Sequence, residues 1–229
     1  MAKRNLYLSH IIIALTVGVY LLQNLSELFL GYDLLFYLGA KVNPFIMKGQ
    51  LWRLITPAVL HASLIHIGFN MYALYSLGPS LERIFGGWAF IALYLLGAIW
   101  GNTLSFFLSP NPSLGASTAI FGLIAAQGVY IYKNQLMLGS AARPLLMNIL
   151  MVVLVNLILG LSPGIDNWAH IGGLLGGLFF AWFTAPSFGI TENLFGQRVI
   201  VRGNSQPKLV FAAGIAIPLA AVLLKIFLF

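Results

Sequence analysis

The sequence predicts an all-α polytopic membrane protein with seven spans, on three observations. Only 7% of the 229 residues are charged and 60% are apolar, whereas a soluble domain carries roughly 25% charged residues. Charge-free intervals long enough for a helix of about 20 apolar residues recur along the chain. The breaks between them fall at proline, glycine and the few charges. Twelve Lys/Arg and five Asp/Glu cannot coat a water-facing surface of this size, and the mean hydropathy is +0.93. A soluble enzyme, a nucleic-acid binder and a disordered chain are excluded. The net charge of +7 contains no basic run and reads as the Lys/Arg bias of cytoplasmic loops. The expected partner is therefore the lipid bilayer and not nucleic acid. With no cysteine, disulfides, thiol catalysis and Cys-based metal sites are excluded.

The elements follow in order. Residues 5–26 give span one, extended to about Phe29; the start Met-Ala-Lys-Arg lacks a small-residue cleavage site and reads as a retained span. Residues 33–60 are apolar but broken by Asp33, Lys41, Lys48, Arg53 and several Gly and Pro. They predict a half-embedded interfacial segment with short helical pieces. Residues 54–81 hold span two. Spans three (87–108) and four (116–132) are separated by Ser109-Pro110-Asn111-Pro112, since proline stops a helix. Span five lies within 144–165, ended by Pro163-Gly164, and span six within 167–191, ended near Pro186. Residues 209–229 form span seven, with Lys225 able to snorkel to the interface. With the N-terminus cytoplasmic, eight basic residues fall inside (Lys3, Arg4, Arg83, Lys133, Arg143, Arg198, Arg202, Lys208) and four outside (Lys41, Lys48, Arg53, Lys225). The count predicts N-in, C-out.

Polar side chains within spans are costly and mark function by default. His66 and Asn70, one helical turn apart, share a face near the start of span two. His61 precedes the helix or points elsewhere. Ser117 begins span four, and His170 lies near the start of span six. In this topology spans two, four and six all run inward, so these groups share one shallow outer level. A Ser hydroxyl needs a base, which a neutral imidazole on a neighbouring helix supplies. A His and an Asn on one face can donate to an oxyanion, and the helix N-terminus at Ser117 favours negative charge. Taken singly, Ser117 also reads as an N-cap, His170 as a buried histidine, and His66 with Asn70 as interhelical glue.

Asp166, four residues before His170, reads better as the N-cap of span six than as a third catalytic member. No His-Glu-x-x-His occurs, so no metal is expected. Gly173 and Gly177 form a small-x-x-x-small stripe on the face that starts at His170. Gly122 lies one turn below Ser117, so spans four and six can approach closely.

Trp52-Arg53, the run from His61 through His66 to Asn70, Gly115-Ala-Ser117-Thr-Ala-Ile-Phe-Gly122 and Ala169-His170-Ile-Gly-Gly173-Leu-Leu-Gly-Gly177 together resemble the rhomboid intramembrane serine proteases, over roughly residues 45–180. The resemblance implies Ser117 as nucleophile and His170 as its base, in a dyad without an acid. It implies His66, Asn70 and the Ser117 backbone N–H as the oxyanion hole. His61 and the Trp52-Arg53 pair become structural, and Glu82-Arg83 matches a charged pair at the inner end of span two. Thr118 stands where the family usually has a second Gly, and Phe121 where it has an aromatic, often Tyr, that can stack on His170. The implied layout is a rhomboid-like six-helix core with catalytic residues in 1–185, a cytoplasmic linker 186–208 and a seventh helix 209–229. The implied activity is cofactor-free cleavage of the transmembrane segments of other membrane proteins, near the outer face of the plasma membrane. The alternative is a non-catalytic relative that only binds client helices.

Overall fold

The computed structural model describes residues 7–192, 198–202 and 207–228. The chain opens with α1 (Leu8–Leu30), whose first backbone N–H groups meet a carboxylate from elsewhere: Leu8 N and Ser9 N donate to Glu82 at 3.0 and 3.3 Å. An acid at a helix N-terminus satisfies orphan donors and favours the dipole. The predicted interfacial segment is a string of short pieces: α2 (Leu34–Gly39), α3 (Asn43–Met47), and 3-10 turns at Leu51–Leu54 and Thr56–Val59.

Helix α4 (Leu64–Phe85) starts at the N-cap Ser63, whose hydroxyl accepts from His66 N, and contains Pro79. It begins later and ends later than the charge-free interval suggested, because capping chemistry and not charge sets its bounds. His61 therefore precedes the helix. Next come α5 (Gly87–Leu108), α6 (Ser117–Lys133), α7 (Gln135–Leu138), α8 (Ala142–Leu159) and α9 (Asn167–Thr184). The expected linker contains an antiparallel hairpin, β1 (Phe188–Glu192) and β2 (Arg198–Arg202), in register from Phe188↔Arg202 to Glu192↔Arg198. Helix α10 (Pro207–Leu228) closes the chain. Lys3, Arg4 and residues 193–197 and 203–206 of the expected linker lie outside the described residues.

Among the described residues, α1, α4, α5, α6, α8, α9 and α10 are the long helices, from 17 residues in α6 to 23 in α1. Leu8–Leu30, Gly87–Leu108, Gln135–Leu159 and Pro207–Leu228 are each long and apolar enough to cross a membrane by themselves. The protein is an integral, multi-pass, all-α membrane protein. Helices α4, α6 and α9 fall short of that standard of length and apolarity, and they are the ones bearing the polar residues singled out above.

The centre of the bundle is α5, α6 and α9, packed in mutual contact, with α4 and α8 against α6, and α10 against α5 and α9. Glycine sets these distances. A Cβ on Gly173 would run into the Thr118 carbonyl, and one on Gly177 into the Gly122 carbonyl. On the α5 side, a Cβ on Gly97 would lie 3.0 Å from Ala119 Cα, and one on Gly172 would lie 2.8 Å from Gly101 Cα. In lipid, where no hydrophobic force drives helix association, such backbone contact supplies packing energy. Lys225, expected to reach the interface, directs Nζ to the Phe106 carbonyl near the α5 C-terminus at 3.4 Å and lies over the Phe106 and Phe107 rings.

Gly177→Ala should force α6 and α9 apart. The expected cost of such overpacking is about 1–3 kcal/mol, read as a lower unfolding temperature in detergent. An unchanged unfolding temperature would mean that the α6–α9 distance is not set by this glycine.

Candidate active site

Ser117 is the first residue of α6, preceded by Gly115 and Ala116. Gly115 has φ 131°, a conformation L side chains rarely adopt. A Cβ there would also lie 2.7 Å from His66 Nε2. Glycine is thus required twice, and the His66 ring lies against the turn that leads into Ser117. Gly115 N donates to the Pro57 carbonyl at 2.9 Å and Ala116 N to His61 Nε2 at 3.4 Å. The buried His61 ring is held neutral, since burial, with His66 adding, pushes its pKa down to about 3. A neutral ring can accept at Nε2, as this geometry requires.

Ser117 Oγ lies 3.0 Å from His170 Nε2. Ala116 holds the N-cap position and Ser117 is the first helical residue, so the N-cap reading of Ser117 does not describe it. His170, 9% exposed, stacks on Phe121 with centroids 4.4 Å apart and planes 10° apart. Its Nδ1 is buried without a partner among the described residues. Asp166 does not reach it: Oδ1 accepts from Ala169 N at 3.1 Å, the N-cap bond of α9, and Oδ2 accepts from Ser105 Oγ. Orientation of the imidazole comes from an aromatic face and helix packing and not from a carboxylate.

His66 and Asn70 lie on one face of α4, as expected. Asn70 is buried, and its Nδ2 donates to the His66 carbonyl at 3.1 Å. That bond uses one of the two amide hydrogens and leaves the other. Thr118, the departure from the family pattern, is buried over α5, where a Cβ on Gly101 would come within 2.8 Å of Thr118 Cβ. Gly101 makes the room that a second glycine after Ser117 would otherwise make, and α6 still starts at Ser117.

The interfacial segment carries the loop before Ser117. Arg53 donates to the carbonyls of Ala40 and Tyr37 and to Gln50 Oε1, each at 2.7 Å, and Trp52 Nε1 donates to the Leu38 carbonyl at 3.1 Å. Sequence reasoning missed Lys41. Its side chain is fully buried, and Nζ donates to the carbonyls of Ser109 and Asn111 at 2.8 and 2.9 Å. Burial pushes its pKa down to about 8, against the opposing pull of Asp166. Its backbone pairs with Ser113 in an antiparallel bridge. A lysine in a loop looks like any interfacial charge; only its exposure distinguishes it. No group of three or more His, Asp or Glu side chains among the described residues could hold a metal ion.

These features define a class: a multi-pass helical membrane protein with a serine hydroxyl and an imidazole paired between two glycine-lined helices. A Rhomboid domain is matched over residues 48–187, and the chain belongs to the rhomboid family, a family of intramembrane proteases. It is similar to Rhomboid protease GluP of Bacillus subtilis, 37% identical over 194 residues, covering 84% of this chain and 37% of that protein. It is also similar to RHOMBOID-like protein 9, chloroplastic, of Arabidopsis thaliana, 32% identical over 189 residues and covering 80% and 43%. Rhomboid-like protease 1 of Toxoplasma gondii is 33% identical over 183 residues, covering 69% and 60%. The chain spans about two fifths of the length of the first two of these relatives.

Asp166→Asn keeps the cap, because Asn caps about as well as Asp. Activity on a transmembrane substrate is expected to stay within a few-fold of the parent. A fall approaching ~10⁴, as when a triad carboxylate is lost, would make Asp166 a catalytic member.

Proposed function

We propose that this chain is a serine endopeptidase that cleaves transmembrane segments of other membrane proteins through a Ser117–His170 dyad. The observation that carries the reading is the 3.0 Å approach of Ser117 Oγ to His170 Nε2. Ser117 Oγ attacks the scissile carbonyl while its proton passes to Nε2. The tetrahedral oxyanion accepts hydrogen bonds from the Ser117 N–H, the free Asn70 amide hydrogen and His66. His170 returns the proton to the leaving amine and the acyl-enzyme forms. A water then attacks the ester, giving its proton to His170, and the carboxyl product leaves with Ser117 regenerated. Phe121 keeps the imidazole plane aimed at Oγ through each transfer. The residues need no cofactor for these steps.

The substrate is a membrane-embedded segment whose helix opens locally, since a helix hides its own carbonyls in lipid. Gly, Pro or small residues near the cleaved bond make that opening easier. The catalytic core is residues 1–185, with 186–208 as a cytoplasmic linker and 209–229 as an added helix. Lys/Arg counting supports a cytoplasmic N-terminus and a site opening to the outer side of the plasma membrane.

Ser117→Ala and His170→Ala should each reduce cleavage of a model transmembrane substrate to background. Both should abolish labelling of the protein by a fluorophosphonate probe, and the double variant should be no worse than either single one. Normal substrate capture by parent protein that neither labels nor cleaves would favour a non-catalytic binder. Asn70→Ala should lower turnover per folded molecule by about 10²–10³ with little change in substrate binding. Unchanged turnover per folded molecule, with a lower unfolding temperature, would make Asn70 interhelical glue instead.

A further inference from the structure

A notch opens on the outer surface of the bundle, behind the helix that carries His170. Helix α10 buries Gly214, Pro218 and Val222, four residues apart. It touches α5 tightly at two levels. At Gly214, Trp100 Nε1 donates to the carbonyl at 2.7 Å. Pro218, four residues on, has no N–H to bond that carbonyl, so the indole takes the place of the missing helical bond. A Cβ at Gly214 would lie 2.9 Å from Leu96 Cδ1 and 3.4 Å from Phe179 of α9. At the other level, Val222 is fully buried in a cluster with Ile46, Leu54 and Phe106.

Between these contacts α9 and α10 leave about 220 Å³ unfilled. Trp100, Thr103 and Phe107 form the floor, Leu175 one wall, and Ile217 and Ala221 the other; the lining is apolar. Phe107, Leu175, Ile217 and Ala221 are exposed, so the notch opens to the bilayer. A void beside side chains forfeits dispersion contacts, and the surrounding medium is hydrocarbon. Lys225 stands one turn beyond Ala221, at the end of the notch nearest the α5 C-terminus. Its contacts among the described residues are the Phe106 carbonyl and the Phe106 and Phe107 rings, none of them a carboxylate. An ammonium has three donors, and one serves Phe106. Lys41 is a neighbouring cation, and Asp166, the carboxylate near Lys41, is committed to Ser105 and the α9 cap. Among the described residues this end of the bundle therefore carries more positive than negative charge.

We propose that the notch binds one anionic phospholipid, with an acyl chain between α9 and α10 against Trp100 and its phosphate on Lys225. From residue 217 to 225 a helix rises about 12 Å, enough for the upper part of an acyl chain. The lipid belongs to the leaflet that holds the N-terminal ends of α6 and α9. It lies along Gly172, two residues after His170. This site is independent of the proposed chemistry, since it involves neither Ser117 nor the His170 side chain.

The test uses the full chain in nanodiscs of phosphatidylcholine, with phosphatidylglycerol added and one of the two brominated on its acyl chains. Bromine quenches nearby indoles. The Trp100 contribution is the difference between the parent and Trp100→Phe. Trp100 quenching should be half complete at a several-fold lower mole fraction of brominated phosphatidylglycerol than of brominated phosphatidylcholine. Ala221→Phe fills the notch and should remove that early quenching while leaving the quenching of the other tryptophans. Lys225→Gln should make the two lipids equivalent. Because Trp100→Phe also loses the bond to Gly214, native mass spectrometry of parent and Ala221→Phe provides a second readout. One retained phosphatidylglycerol is expected on the parent and none on the variant. Equal quenching by both lipids in the parent, or retention unaffected by Ala221→Phe, would overturn the proposal and leave only bulk lipid contact.

Discussion

The contact between the backbones of α6 and α9 is the constraint on which the rest depends. Serine and histidine side chains on two helices meet at 3.0 Å only if the helices nearly touch. Here the Gly173 and Gly177 positions lie against the carbonyls of Thr118 and Gly122, the backbone immediately below Ser117. The same contact accounts for how His170 is held with no carboxylate behind it. In a Ser-His-Asp triad the acid fixes the imidazole's orientation. In this protein Phe121, one turn below Ser117, provides a flat face for the ring, and packing holds that face in register. Asp166 is then free to cap α9 and tie it to Ser105 of α5, which fixes the end of the helix that presents His170.

A second support comes from below the α5–α6 loop. That loop must deliver Ser117 at a set height and has two prolines but no regular structure of its own before the α6 start. It leans on the interfacial segment through the Lys41–Ser113 bridge, the two Lys41 Nζ bonds, and the bonds from Gly115 and Ala116 to Pro57 and His61. The segment is itself tied by Arg53, whose three charge-assisted bonds close its turns. Hydrogen bonds to charged groups contribute about 1.5–3 kcal/mol each, so a loop at the lipid boundary can be held as firmly as a helix. Gln23 of α1 joins in, accepting from His61 N at 3.0 Å and donating to Asp33 at 2.6 Å.

What the sequence revealed and what it concealed divide along physical lines. The long helices were legible because apolar runs and proline breaks are local signals. α5 is found where the charge-free stretch and Pro110 put it. The α4 start was displaced because His61 and Ala62 are uncharged yet lie before the Ser63 cap. Ser117, His170, His66 and Asn70 stood out because polar groups are rare at such depth. Lys41 did not, since a buried lysine and an interfacial one are the same letter. The hairpin around residues 188–202 escaped notice because short polar stretches between spans look like linkers. The α5 glycines, Gly97 and Gly101, went unremarked in the sequence, because what opposes each one becomes visible only when three helices meet.

The three helices that bear the polar residues are also the ones not apolar or long enough to cross a membrane unaided, and this follows from the chemistry placed on them. A hydroxyl, two imidazoles and an amide must share one level, and glycines must replace larger apolar residues to bring them together. Both changes reduce a helix's own affinity for lipid. The compensation lies in the neighbours. α5, with two thirds of its apolar stretch buried, serves as the core strut, and α1, α8 and α10 turn most of their surface outward. α6 is only 17 residues long but is walled by α4, α5, α8 and α9, so its short length meets protein and not acyl chains. Its N-terminus meets the loop that Lys41 and His61 support.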